Sequence, residues 1–267
     1  MRDAVIVDAV RTPIGRRRGA LSGIHPADLS AHVLESLVER TGLDPAVIDD
    51  VVWGCVSQTS EQAGNVARTA ILAAGWPESV PGTTVTRACG SSQQALSMAA
   101  AAVISGQQDV VVAGGVESMS RVPMGSAAPN GESQPPTVLD RYGVDRFSQG
   151  IGAEMMAQKW SLSRTALDEF SLRSHELAAQ AADAGAFDGQ LAPITGVLEG
   201  DEGIRRGGTL ESMSALKPAF REDGVIHAGN ASQISDGAAA LLVMCSQTAA
   251  KLGFTPIARV HTAVVAG

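Results

Sequence analysis

Large rings are nearly missing from this sequence, with three Trp, one Tyr and five Phe among 267 residues. Its interior must be filled by aliphatic and small side chains, and 29 glycines let backbones approach closely. Cations are also in deficit. Lys and Arg number 20 against 28 Asp and Glu, and the net charge of −8 argues against a broad nucleic-acid or anionic-membrane surface, which needs positive charge. Cysteine is sparse and dispersed. Cys55, Cys89 and Cys245 form no C-x-x-C pair and have no histidine at ligand spacing, so neither a metal site nor a disulfide framework is expected. No apolar run reaches membrane-spanning length and no cleavage-site pattern precedes the first strand, from which we expect a soluble, cytoplasmic protein. Gly114-Gly115 lacks the spacing of a dinucleotide fingerprint, so no such cofactor is expected.

What the sequence does contain is alternation. Strand-like runs cover 4–10, 50–56, 82–86 and 109–116, and helical patterns cover 26–42, 65–75 and 90–105. Such β-α repeats predict a mostly parallel sheet, with ligands gathered at the carboxyl ends of its strands. Cys89 stands at one of those ends, where a β-branched strand breaks into an alanine-rich helix. A thiol just ahead of a helix meets unpaired N–H groups and the positive end of the dipole, which favour a thiolate nucleophile. The competing reading is a small buried hydrophobe, and we assign that role to Cys55, inside its strand, and to Cys245, inside an apolar run. The helix after Cys89 is apolar nearly all round, so cover is expected on both sides of it.

Beyond Ser120 the pattern changes. Residues 121–136 are rich in Pro, Gly, Ser and Asn, as an excursion from a sheet would be. Helices are expected over 151–160 and 163–184, the second capped by Ser163, and 193–198 reads as extended. Arg205, Arg206, Lys217 and Arg221 form a local basic patch, either ordinary surface charge or an anion site, and the basic loop from Arg11 to Gly19 has the same two readings. Asp236-Gly237 reads as a turn or as structural support ahead of the alternative, a carboxylate placed for function, and 256–265 reads as a last strand.

Four stretches resemble the thiolase family, the acetyl-CoA acetyltransferases and 3-ketoacyl-CoA thiolases. They are Arg11-Thr12-Pro13-Ile14-Gly15, Cys89-Gly90-Ser91-Ser92-Gln93-Gln94-Ala95, Gly114-Gly115-Val116-Glu117-Ser118-Met119-Ser120, and the run from Asn230 to Ala238. The resemblance covers essentially the whole chain as that family's N-terminal portion. It implies an α/β, thiolase-like layered fold: an N-terminal half (1–117 and 250–267) with a mostly parallel mixed sheet, and an inserted α+β loop domain (118–249) binding coenzyme A. It also implies that Cys89 is the acylated nucleophile and that its N–H helps to hold the thioester oxygen. Coenzyme A contacts carry over to Arg205, Ser212, Met213, Phe220, Ala228 and Ser232. Coenzyme A or acyl-CoA would be substrate, with no tightly bound cofactor, and the complete enzyme a homo-oligomer, dimer or tetramer.

Three departures stand out. Ser92 occupies a position where the family usually has glycine, and Ser148-Gln149 precede Gly150 where many relatives have His-Met, bordering the acyl pocket. The histidine, second cysteine and asparagine that the family takes from its C-terminal half have no counterpart motif, and His227 and His261 stand in other contexts. We therefore expect the N-terminal portion of a thiolase with little turnover alone. The alternative is a stand-alone coenzyme A-binding or interaction module that relies on a separate chain. A decarboxylating condensing enzyme on the same architecture is a third reading, disfavoured by the Glu117–Ser120 and Asp236–Ala238 signatures.

Overall fold

In chain order the first elements are Val5–Arg11 (β1), Gly15–Arg16 (β2), Pro26–Thr41 (α1), Asp50–Gly54 (β3), Val66–Ala73 (α2), Gly82–Val85 (β4), Ser91–Ser105 (α3) and Val110–Ser118 (β5). Then come Pro136–Tyr142 (α4), Gln149–Lys159 (α5), Arg164–Asp183 (α6), Leu210–Ser214 (α7), Ser235–Met244 (β6), Ser246–Lys251 (α8) and Ala258–Arg259 (β7). The structure, a computed structural model, describes residues 2–128 and 133–266; residues 129–132 of the expected excursion lie outside the described residues.

The strands form one sheet in the order β4-β3-β5-β6-β1-β7, with β2 also on β6. Parallel pairing joins β3 to β4 and to β5, where α2 and α3 supply crossovers. β6 runs antiparallel to both β5 and β1. The sheet is thus more mixed than alternation alone predicts, because β6 returns from the excursion without a crossover helix to set its direction. Asp236-Gly237 is no turn: it lies at the start of β6, with Asp236 opposite Ser118 of β5 and Gly15 of β2.

Period-two side chains give this sheet two apolar faces. On one face Val51, Trp53, Val110, Val112, Leu242 and Met244 pack with α1 and α2; on the other Val52, Val111, Ala113 and Val243 pack with α3. Leu29, Val33, Leu34 and Leu37 of α1 are fully buried, each contributing about 1.5–3 kcal/mol. Trp53 Nε1 donates to Ser30 Oγ (3.2 Å) and ties β3 to that helix. Small residues Ala95, Ala99 and Ala100 let α3 lie close on the other face, while Met98 and Ile104 on its far side are exposed. The strand expected over 256–265 shrinks to two residues, paired only with Val5 and Ile6 of β1, and Ile257, Val264 and Val265 are exposed.

The chain divides into two compact units, one of residues 1–127, 190–202 and 234–267, the other of 128–189 and 203–233. These limits differ from the expected 118 and 249 because β6 belongs to the sheet and because 190–202 is bonded to β1, Ala192 N–H donating to Arg11 O (2.7 Å). The second unit contains α4 to α7 and loops. It has no strand among its described residues, since the apolar run that would have supplied one is β6. No helix among the described residues is long and apolar enough to cross a membrane.

Candidate active site

Cys89 lies in the turn between β4 and α3 with φ +61° and is exposed. For a residue with a Cβ this left-handed conformation costs about 1–2 kcal/mol. A strained strand-turn-helix corner is also how nucleophiles are raised above a sheet. The turn is held from within. Buried Ser91 bonds both the N–H and the carbonyl of Arg87 through its hydroxyl (3.1 Å each), and Gly90 N–H donates to Arg87 O (2.7 Å). Gly90, the cap of α3, brings no side chain to the first-turn amides, and the Cys89 N–H donates to no group among the described residues. An oxyanion formed next to the thiol would find an unused backbone donor at a helix N-terminus.

Glycine sets the approach of this helix to the sheet. Gly54 of β3 pairs with Gly115 of β5. A Cβ on Gly54 would fall 2.2 Å from Ser92 N, and one on Gly115 would fall 2.0 Å from Ser92 Oγ and 2.4 Å from Gly54 O. Ser92 is accommodated because Gly115 leaves that space open.

The corner opens on a cavity of about 510 Å³ contained in the first unit. Its wall is made by 89–93, by 54–57 after β3, by 115–117 of β5, by 235–239 of β6, and by Arg11, Thr12, Ile14, Met119 and Met124. Glu117 is firmly held there. Its Oε2 accepts the Val56 N–H (2.8 Å), and its Oε1 accepts the Ser57 N–H (3.3 Å) and Gln62 Nε2 (2.9 Å). Gln62, fully buried, also accepts the Ser118 N–H (2.7 Å). Asp236, 1% exposed, accepts the Ser120 N–H (2.8 Å) through Oδ1, while Oδ2 is buried with no partner among the described residues. Arg11 forms a two-pronged pair with Asp201 (2.7 and 3.0 Å).

The other two cysteines are buried, as expected, but neither lies inside the run expected to hold it. Cys55 is buried just beyond the end of β3 and lines the same cavity as Cys89. Burial, and then the charge of Glu117, pushes its thiol up to about 12, so it stays protonated. Cys245 caps α8, its Sγ accepting the Thr248 N–H (3.4 Å).

The residues expected to contact coenzyme A all fall in the second unit. Arg205 and Ala228 meet directly, Arg205 Nη1 donating to the Ala228 carbonyl (3.1 Å). Ser212 is exposed and shares a reciprocal capping box with Thr209. Met213 is buried against Gly229, where an added Cβ would come within 2.7 Å of its Sδ. Phe220, 43% exposed, lies against Gly150, whose missing Cβ leaves room for the ring. Ser148 caps α5 through the Ile151 N–H (3.4 Å), and Ser232 is exposed. Within the basic patch, Arg206 is paired with Asp183 (2.8 Å) and Arg221 with Asp223 (3.1 Å). Arg205 and Lys217 have no carboxylate partner among the described residues.

Residues 4–247 match the family model described as thiolase, N-terminal domain. The chain belongs to the thiolase family. It is 47% identical to the steroid 3-ketoacyl-CoA thiolase FadA6 of Mycobacterium tuberculosis over 98% of this chain and 66% of that protein. A 3-ketoacyl-CoA thiolase of Saccharophagus degradans is 42% identical over 100% of this chain and 70% of its own length. The crystal structure of the Bacillus anthracis acetyl-CoA acetyltransferase superposes with a TM-score of 0.86 at 39% identity, covering 97% of this chain and 69% of that one. The chain thus spans about two thirds of the length of these relatives. In this thiolase-family chain, Cys89 and its helix were legible from residue type and place. The Gln62–Glu117 clamp, the buried Asp236 and the cavity position of Cys55 were not: Glu117 and Asp236 stand in recognisable stretches, but nothing local indicates what their carboxylates bond.

Proposed function

We propose that the chain serves thiolase chemistry with Cys89 as nucleophile. Its thiolate attacks the 3-keto carbon of a 3-ketoacyl-CoA, acetyl-CoA departs, and a second coenzyme A thiol collects the acyl group from the cysteine thioester. The reverse sequence condenses two acetyl-CoA. The observation that carries this is an exposed cysteine at φ +61°, with an unused N–H, at the uncapped start of α3 on a cavity of about 510 Å³. The names of the relatives support the same chemistry. Coenzyme A is substrate, held in the second unit by Arg205, Ser212, Met213, Phe220, Ala228 and Ser232, with no tightly bound cofactor. We place the activity in the cytoplasm, in a homo-oligomer.

No histidine is found among the described residues that line the cavity, and Glu117 is already engaged by three donors. This favours a second reading in one respect, that the groups moving protons at Cys89 come from a separate chain. Native mass spectrometry of material from the source organism discriminates: a stoichiometric second polypeptide supports it, and a longer single chain refutes it. For the main proposal, incubation with acetyl-CoA followed by peptide mass spectrometry is expected to find the acetyl group on Cys89. Label on Cys55 or Cys245 with Cys89 untouched overturns the assignment.

A further inference from the structure

The second unit buries a polar cluster that the chemistry at Cys89 does not use. Asp168, in the second turn of α6, is 2% exposed and His227 is 0% exposed. Asp168 Oδ1 accepts from His227 Nε2 (2.7 Å) and from Asn230 Nδ2 (3.0 Å), while its Oδ2 accepts from Arg164 Nε (3.0 Å). His227 Nδ1 accepts the Gly229 N–H (3.0 Å), so the ring proton sits on Nε2 and is donated to Asp168. The same segment closes on itself. Asn230 Oδ1 accepts the His227 N–H (2.8 Å), and the His227 carbonyl accepts from the N–H groups of Asn230 (3.1 Å) and Ala231 (3.0 Å). Glu154 of α5, 4% exposed, accepts the N–H groups of Val225 (3.0 Å) and Ile226 (2.8 Å).

Residues 225–232 belong to no helix or strand, so these bonds determine their backbone. A buried ion-type pair is seldom kept for stability, since apolar side chains of equal volume do as well. Here, apart from the Arg164 pair within α6, every bond of the cluster has one end within three residues of Ala228, which is exposed and whose carbonyl holds Arg205. We infer that Asp168 and His227 are positioning residues for the coenzyme A segment 228–232, fixing the backbone at Ala228 and Ser232 and, through the Ala228 carbonyl, the side chain of Arg205. This rests on the coenzyme A reading above.

The test is isothermal titration of the 267-residue chain with coenzyme A, well below the unfolding midpoint of each protein. His227→Leu removes one of the two donors to Asp168 Oδ1, leaves the Gly229 N–H unpaired, and is expected to weaken binding about tenfold or more. His227→Gln keeps an N–H for Asp168 and is expected to stay within about threefold of the parent. A purely structural role would lower the midpoint of both variants and leave the dissociation constant alone. Parent-like affinity of folded His227→Leu overturns the inference, as does a Gln variant as weak as the Leu one. Should His227→Leu not fold, Asn230→Ala removes the amide from the edge of the cluster; weakened binding supports the inference and unchanged binding overturns it. Failure of the parent chain to bind coenzyme A is distinguishable from all of these, and overturns the coenzyme A reading and the inference together.

Discussion

A methyl group added at Gly115 would meet two neighbours of different kinds, the flexible hydroxyl of Ser92 and the fixed carbonyl of Gly54. Only the first can move away. Gly115→Ala is therefore expected to destabilise the fold by about 1–3 kcal/mol. In Ser92→Gly/Gly115→Ala the hydroxyl clash disappears but the backbone clash persists, so urea unfolding should show partial recovery; full recovery would mean that the strand, not the serine, gives way. At this scale the sequence disclosed residue types and little of their geometry. Cys89 could be singled out because a strand ending and a helix beginning are both local patterns. Its φ of +61° and the protonated Cys55 on the same cavity are products of tertiary packing.

Arg11 at the end of β1 and Asp201 in the returning segment 190–202 join two stretches far apart in sequence. Burial alone would push the Asp201 carboxyl up, but the Arg11 guanidinium and the Ile14 N–H outweigh it and hold it below its usual range. A carboxyl lowered in the folded state stabilises fully above its unfolded value of about 3.9 and loses that contribution as pH falls through the lowered value. Denaturant midpoints measured from pH 6 downward should accordingly fall less steeply below pH about 4 in Asp201→Asn than in the parent, the variant being less stable by about 2–3 kcal/mol at neutral pH. Elements were readable wherever their signals are short-range. α1 has Pro26 at its start and Gly42 at its stop, and α6 has Ser163 as cap, so both fall close to their expected limits. β6 was hidden because its opening residues resemble a turn and its strand character comes from lying between β5 and β1.

Across the whole molecule, β6 is the strand that makes one sheet of two parts, since β1 reaches β5 only through it. A fragment of residues 1–127 lacks that strand and is expected to show no cooperative unfolding transition by circular dichroism, whereas a sharp melt would show that the parallel strands stand alone. The pairing of Ser118 with Asp236 has a wider meaning. The chain leaves the sheet and re-enters it side by side, so everything between those residues is, topologically, the loop of a single hairpin. Closing such a loop costs only about 0.6 kcal/mol more for each doubling of its length. The excursion is therefore the place where this chain can gain or lose length while the strands that frame Cys89 keep their register.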